Sequence, residues 1–280
     1  KVQILYSNAM KLKPRIIAMD LDDTLLKHDL TISDHTVDVL QQCMSRGILV
    51  ALASGRAPEA MYPYAKRIGI DNRKSYIVAN NGSQILISDT RELVYERFLP
   101  EDIAIEAFRL TVAAGLSCHI YDDTTIHVSR ETEYSERDFR LSGLKPVVPD
   151  DFEEVIRRGV YKLVIPGHPE FVTPVEAEFK VLFRDRATVF VSKPFFMEVL
   201  PLNAGKGEAL QEIAETFLGF SAEDVMAFGD SMNDESMIRY AGLSVAMINS
   251  RKEILDLAKF ITDRTNDDDG IADFLEKNVL

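Results

Sequence analysis

A short apolar run, Ile16-Ile17-Ala18-Met19, stops abruptly at three carboxylates, Asp20, Asp22 and Asp23. Such a run, bounded by polar residues, suits a strand buried on both faces of a parallel sheet. Open α/β sheets bind ligands beyond the carboxyl ends of their strands. Carboxylates gathered there repel one another. A hard cation among them makes them tolerable, and Mg²⁺ takes oxygen ligands while keeping positions open for water and a substrate phosphate.

The pattern recurs along the chain. Ile48 to Ala53 ends at Ser54-Gly55-Arg56, Tyr76 to Ala79 at Asn80-Asn81-Gly82, and Val225 to Phe228 at Gly229-Asp230; Leu243 to Met247 and Phe260 to Thr262 follow. Amphipathic helical patterns lie between. Ser33 caps one that stops near Gly47, Pro58 opens another that ends at Gly69, and Lys206 to Leu218 carries an apolar stripe. This alternation predicts an α/β fold, a Rossmann-like doubly wound parallel sheet joined by right-handed crossovers. The middle breaks the rhythm. Ser117 to Tyr121 and Thr125 to Val128 flank Asp122-Asp123-Thr124, and Thr188 to Val191 and Phe195 to Val199 flank Ser192-Lys193-Pro194. Strands joined by tight turns make antiparallel sheet. With helical patterns at Glu101 to Ala114, Asp151 to Arg158 and Pro169 to Phe179, they read as an inserted α+β cap over 83–198, between core segments 10–82 and 199–280.

The net charge of -13 argues against nucleic-acid partners, which need basic surface. No apolar stretch approaches the ~20 residues that span a bilayer, so no membrane partner is expected. Ile4 to Tyr6 is too short for the core of a signal peptide, and Ser7-Asn8-Ala9 before Met10 reads as the scar of an expression tag, so 1–9 stand outside the fold. Cys43 and Cys118 are isolated and read as reduced thiols of a cytoplasmic protein, expected as a monomer or weak homodimer.

The chemistry follows from spacing. Asp20 and Asp22 are two apart and face one way on a strand. One carboxylate can attack phosphorus and form an aspartyl-phosphate, while the other protonates the leaving alkoxide and later deprotonates water. Asp230 supplies a further metal ligand, and Asp234 either binds the cation or orients its water. Lys206 offsets phosphoryl charge. Ser54-Gly55 leads into a helix start, where unpaired N–H groups favour phosphate.

These segments together resemble the haloacid-dehalogenase superfamily of phosphatases, more narrowly its Cof-like branch with a type IIB cap. The resemblance covers nearly the whole chain from Met10, with all four motifs in order. Asp20-Leu21-Asp22-Asp23-Thr24 implies Asp20 as nucleophile and Asp22 as acid/base. Ser54 of Ala-Ser-Gly-Arg implies a phosphate-binding hydroxyl, and Lys206 of Gly-Lys-Gly-Glu-Ala-Leu a phosphate-stabilising ammonium. Gly-Asp-Ser-Met-Asn-Asp at 229–234 implies Asp230 as Mg²⁺ ligand with Asn233 and Asp234 in support. The family's metal also takes the backbone carbonyl at the position of Asp22. Asn81 matches an element at the core-to-cap junction that touches substrate. Asp23 stands where the family often has Gly.

The resulting expectation is a Mg²⁺-dependent phosphatase acting on a small phosphorylated metabolite, with sugar phosphates leading and phosphorylated cofactors open. A sugar-phosphate mutase or phosphotransferase on the same core is one alternative. A catalytically idle metabolite-binding protein is another, although its mark would be loss of Asp20, Asp22 or Asp230. Dehalogenation has no use for Asp22 as acid/base. Arg56 is read as structural, His28 as a loop residue, and His119 and His127 as lacking a third ligand for zinc. Phe195-Phe196-Met197 is read as cap core.

Overall fold

The computed structural model describes residues 11–122 and 124–280. The tag reading of 1–9 and the turn residue Asp123 fall outside them. The first core segment holds β1 (Ile16–Met19), α1 (Asp34–Ser45), β2 (Leu49–Ala53), α2 (Pro58–Ile68), β3 (Tyr76–Ala79), β4 (Gln84–Ile87) and β5 (Leu93–Glu96). The cap holds α3 (Glu101–Ala113), β6 (His119–Tyr121), β7 (Thr125–Val128), α4 (Glu133–Ser142), β8 (Lys145–Val147), α5 (Phe152–Arg157), β9 (Leu163–Pro166), α6 (Pro169–Leu182), β10 (Ala187–Lys193) and β11 (Phe196–Pro201). The chain returns through α7 (Lys206–Gln211), β12 (Val225–Gly229), α8 (Glu235–Tyr240), β13 (Leu243–Ala246), α9 (Lys252–Leu257), β14 (Phe260–Ile261) and α10 (Gly270–Asn278).

The core sheet has the order β14-β13-β12-β1-β2-β3-β4-β5, parallel from β14 to β3. Strand alternation splits its core in two. Ile17 and Met19 pack with Leu40, Met61 and Phe274 of α1, α2 and α10. Ile16 and Ala18 pack with Leu210, Ile213 and Met237 around α7 and α8. Both sets are buried, as a strand covered on two faces requires. The expected caps hold: the Ser33 hydroxyl accepts from the Thr36 N–H at 3.0 Å, and Gly69 closes α2 in the left-handed region.

The cap boundary differs from the sequence reading. β4 and β5 pair antiparallel onto β3 and extend the core sheet, so the crossover begins after Glu96 and not at Ser83. Antiparallel hairpins occur at the edge of a parallel sheet as well as in an inserted cap. β11 lies in the cap sheet, so the return follows Pro201 and not Glu198.

The cap sheet runs β10-β11-β9-β6-β7-β8, antiparallel except for β7 beside β8. One face carries Ile120, Leu163, Ile165, Met197 and Val199, covered by residues of α3, α5 and α6 such as Ala107, Phe152 and Phe179. Alternation sends Tyr121, Lys162, Val164, Phe196 and Glu198 to the other face, where they line a cavity against the core. Both cysteines are buried and free. Among the described residues, no helix is long and apolar enough to cross a membrane.

Candidate active site

Strand register assembles the site. β1 lies between β12 and β2, with Met19 level with Phe228 on one side and Leu52 on the other. The residues that follow, Asp20, Asp230 and Ser54, therefore share one sheet edge. Beyond β1 the chain makes a single wide turn over Leu21–Leu25, in which Asp23 takes φ 59. Asp tolerates that region better than most residues. The turn aims the Thr24 hydroxyl at Asp230 Oδ1, 2.8 Å away.

Lys206 has no exposed surface, yet it opens α7 beneath the acids. Its Nζ lies 2.5 Å from Asp20 Oδ1 and 2.6 Å from Asp234 Oδ1. The neighbouring glycines permit this close approach. Gly82 takes φ 95, and a Cβ there would lie 2.1 Å from the Gly205 carbonyl oxygen. A Cβ on Gly207 would lie 2.3 Å from the Ser236 backbone of α8. Asp234 Oδ2 accepts from the N–H groups of Asp230 and Ser231 at 3.0 and 3.1 Å, fixing the loop after β12.

Oxygens of Asp20, Asp230 and Asp234 lie within 4.8 Å of one another. Such hard oxygen donors fit Mg²⁺. Both oxygens of Asp234 are already engaged, Oδ1 by Lys206 and Oδ2 by the loop N–H groups. Among the described residues no donor meets Oδ2 of Asp20 or of Asp230. Electrostatics point the same way. Burial raises the Asp20 carboxyl well above its usual range; Lys206 opposes this, while Asp234 and Asp230 add to it. Asp230 is pushed up to about 7, first by burial and then by Asp234. The Lys206 ammonium is raised above the usual lysine value, because Asp20 and Asp234 outweigh its burial. One lysine therefore faces more buried negative charge than it balances, and a divalent cation would supply the deficit.

The other residues singled out in the sequence divide. Ser54 is buried and lines the cavity with Gly55, and its hydroxyl oxygen accepts from the Arg56 N–H at 3.2 Å. Asn233 lines the cavity and donates to Asn81 Oδ1 at 3.2 Å. Asn81 is almost wholly buried and donates to Glu198 Oε2 at 2.7 Å. Lys162 meets the same Glu198 oxygen at 2.9 Å and donates to the Gly55 carbonyl at 2.7 Å. Asn81 thus ties the cap to the core in this arrangement, and it does not line the cavity over Asp20.

Arg56, read in the sequence as structural, is paired with a site carboxylate. Its guanidinium grips Asp22 with two hydrogen bonds, Nε to Oδ2 at 3.0 Å and Nη2 to Oδ1 at 2.7 Å. Burial raises the Asp22 carboxyl, but the Arg56 hydrogen bond and charge outweigh it and hold the group below its usual range. The one available signal was position, since Arg56 directly follows the Ser54-Gly55 strand end. The cap loop also reaches the core: Lys193 Nζ is 3.6 Å from Asp23, and the Ser231 hydroxyl donates to the Ser192 carbonyl at 3.1 Å. Met197 is cap core as expected, but Phe195 and Phe196 line the cavity, because the strand alternates and the open face needs a lining. That cavity measures about 600 Å³, the size of a small-molecule site.

The family model for haloacid dehalogenase-like hydrolases matches residues 17–275. The HMP-PP phosphatase of Serratia proteamaculans is 29% identical over 252 residues, 87% of each chain. The crystal structure of a haloacid dehalogenase-like hydrolase from Bacteroides thetaiotaomicron is similar with a TM-score of 0.84 at 30% identity, over 95% of this chain and 99% of that one. A structure described as a subclass IIB sugar phosphatase matches in fold with a TM-score of 0.79 at 22% identity, over 94% of this chain and 98% of that one.

Proposed function

The chain belongs to the haloacid dehalogenase-like hydrolases, in their Cof-like branch, and is a phosphatase of that family; on that premise we propose that it hydrolyses a small phosphorylated metabolite, sugar phosphates leading, with Mg²⁺ as cofactor. One observation carries the reading: Asp20 and Asp230 line a cavity of about 600 Å³, and buried beside them Lys206 bridges Asp20 and Asp234.

In this reading Asp20 attacks phosphorus in line with the leaving oxygen and forms an aspartyl-phosphate. Its carboxylate is steadied by Lys206 at Oδ1. Lys206, Ser54 and Asn233 offset charge on the phosphoryl oxygens, where most enzymatic help in phosphoryl transfer lies. Asp20, Asp230 and the Asp22 carbonyl would hold Mg²⁺, with Asp234 in support; the bound cation neutralises phosphoryl charge as a Lewis acid. Asp22 protonates the departing oxygen and then takes a proton from the water that cleaves the intermediate. Arg56 favours the ionised Asp22, the form that activates water. The cap roofs the site and excludes bulk water.

The test is a phosphate-release screen with Mg²⁺ across sugar phosphates, phosphorylated cofactors and HMP-PP. Turnover that chelation by EDTA suppresses and Mg²⁺ restores supports the reading. No release from any ester, or turnover indifferent to EDTA, overturns it.

A further inference from the structure

The core accounts for the phosphate but leaves a buried carboxylate in the cap without a task. Asp138 of α4 is 3% exposed, and it lines the cavity. A single oxygen, Oδ2, accepts both from the Tyr121 hydroxyl at 2.6 Å and from His119 Nδ1 at 2.8 Å. Among the described residues, no donor meets Oδ1. A carboxylate has room for about four hydrogen bonds, so Oδ1 has capacity for a donor that enters the cavity. Two donors on one oxygen also fix the rotamer and so hold Oδ1 in one direction. His119, itself fully buried, spends its Nδ1 on this restraint.

We propose that Asp138 Oδ1 accepts a hydrogen bond from a hydroxyl of the leaving group, remote from the phosphoester, so that the preferred substrates are polyhydroxylated phosphates. This rests on the hydrolase reading of the Asp20 site. The surroundings offer partners of both kinds. Arg137, Lys162, Lys193 and Arg251 line the cavity together with Asp138 and Glu198. Hydroxyls serve both kinds of partner.

The experiment is a coupling measurement. kcat/KM is determined with Mg²⁺ for hexose phosphates, for each monodeoxy analogue and for para-nitrophenyl phosphate, in the wild type and in Asp138→Asn, with Tyr121→Phe as a second variant that loosens the carboxylate. A hydrogen bond to a charged group predicts that the wild type loses about tenfold or more on removal of one particular hydroxyl. Asp138→Asn should show a several-fold smaller loss for that same hydroxyl, and Tyr121→Phe an intermediate one. A merely structural role for Asp138 would depress all substrates together and leave the deoxy penalty unchanged, which overturns the proposal. So does a wild type that turns over nitrophenyl phosphate but is indifferent to every deoxygenation. Failure of the wild type to release phosphate from any ester would instead sink the hydrolase reading on which the proposal stands.

Discussion

Replacing Lys206 with methionine probes the charge balance of the site. The change keeps most of the side-chain stem and removes an ammonium that lies 2.5 Å from Asp20 and 2.6 Å from Asp234, with no exposed surface. Removing one member of a buried ion pair costs about 3–5 kcal/mol, since the partner stays buried and unpaired. Two carboxylates are orphaned here, but protonation limits the loss. The Asp20 carboxyl is already raised by burial, and Lys206 is what holds it down. Without Lys206 it rises further. A carboxyl with a folded pKa above its unfolded one binds more protons when folded. Stability then falls as pH rises from the unfolded value through the folded one. The deficit of Lys206→Met should therefore be smallest near pH 5 and reach about 3–5 kcal/mol near pH 8. Denaturant unfolding of both proteins at the two pH values, in EDTA so that no cation replaces the lost charge, reads this directly. A deficit below about 1 kcal/mol at the higher pH, or one that does not grow with pH, would refute the argument.

Asp20→Asn should lower turnover by at least about a thousandfold while the circular dichroism spectrum and unfolding midpoint stay near wild type; near-normal turnover removes Asp20 from the nucleophile position. Arg56→Met should move the basic limb of the kcat/KM profile to higher pH, because Asp22 loses the partner that holds its carboxyl low and so keeps the acid form that protonates the leaving oxygen as pH rises. An unmoved limb would separate Arg56 from the proton-transfer step. Gly82→Ala should cost roughly 2–4 kcal/mol in thermal or denaturant unfolding, since the backbone sits at φ 95 and a Cβ would strike the Gly205 carbonyl; a neutral substitution would show that the approach of α7 is not constrained there.

Much of the core was legible because it obeys local rules. β1, β2 and β12 are apolar runs that end in small or acidic residues, and the Ser33, Pro58 and Gly69 signals mark the helix ends where they lie. The site residues could be found since each stands at a strand end or helix start. The cap was less legible. α4 was missed because the residues it buries include Ser135 and Asp138, so its inward face lacks the apolar period by which helices are read. Arg56 reaches Asp22, 34 residues back, and only its place after Ser54-Gly55 hints at it; the roles of Lys162 and Glu198 depend on partners 36 to 117 residues away, and nothing in their own neighbourhoods announces the contact. The early placement of the cap boundary has a similar cause. Alternating strands at the edge of the core sheet look like the cap's own hairpins.

The central claim is that phosphorus is displaced twice, first by Asp20 and then by water. Each in-line displacement inverts configuration, so the stereochemistry at phosphorus counts the steps. A preferred substrate carrying an isotopically chiral phosphorothioate in place of the phosphate, hydrolysed with Mg²⁺ in water labelled with the third oxygen isotope, should give chiral inorganic thiophosphate with net retention. Net inversion would mean direct attack by water and would contradict the assignment of Asp20 as the group that bonds to phosphorus.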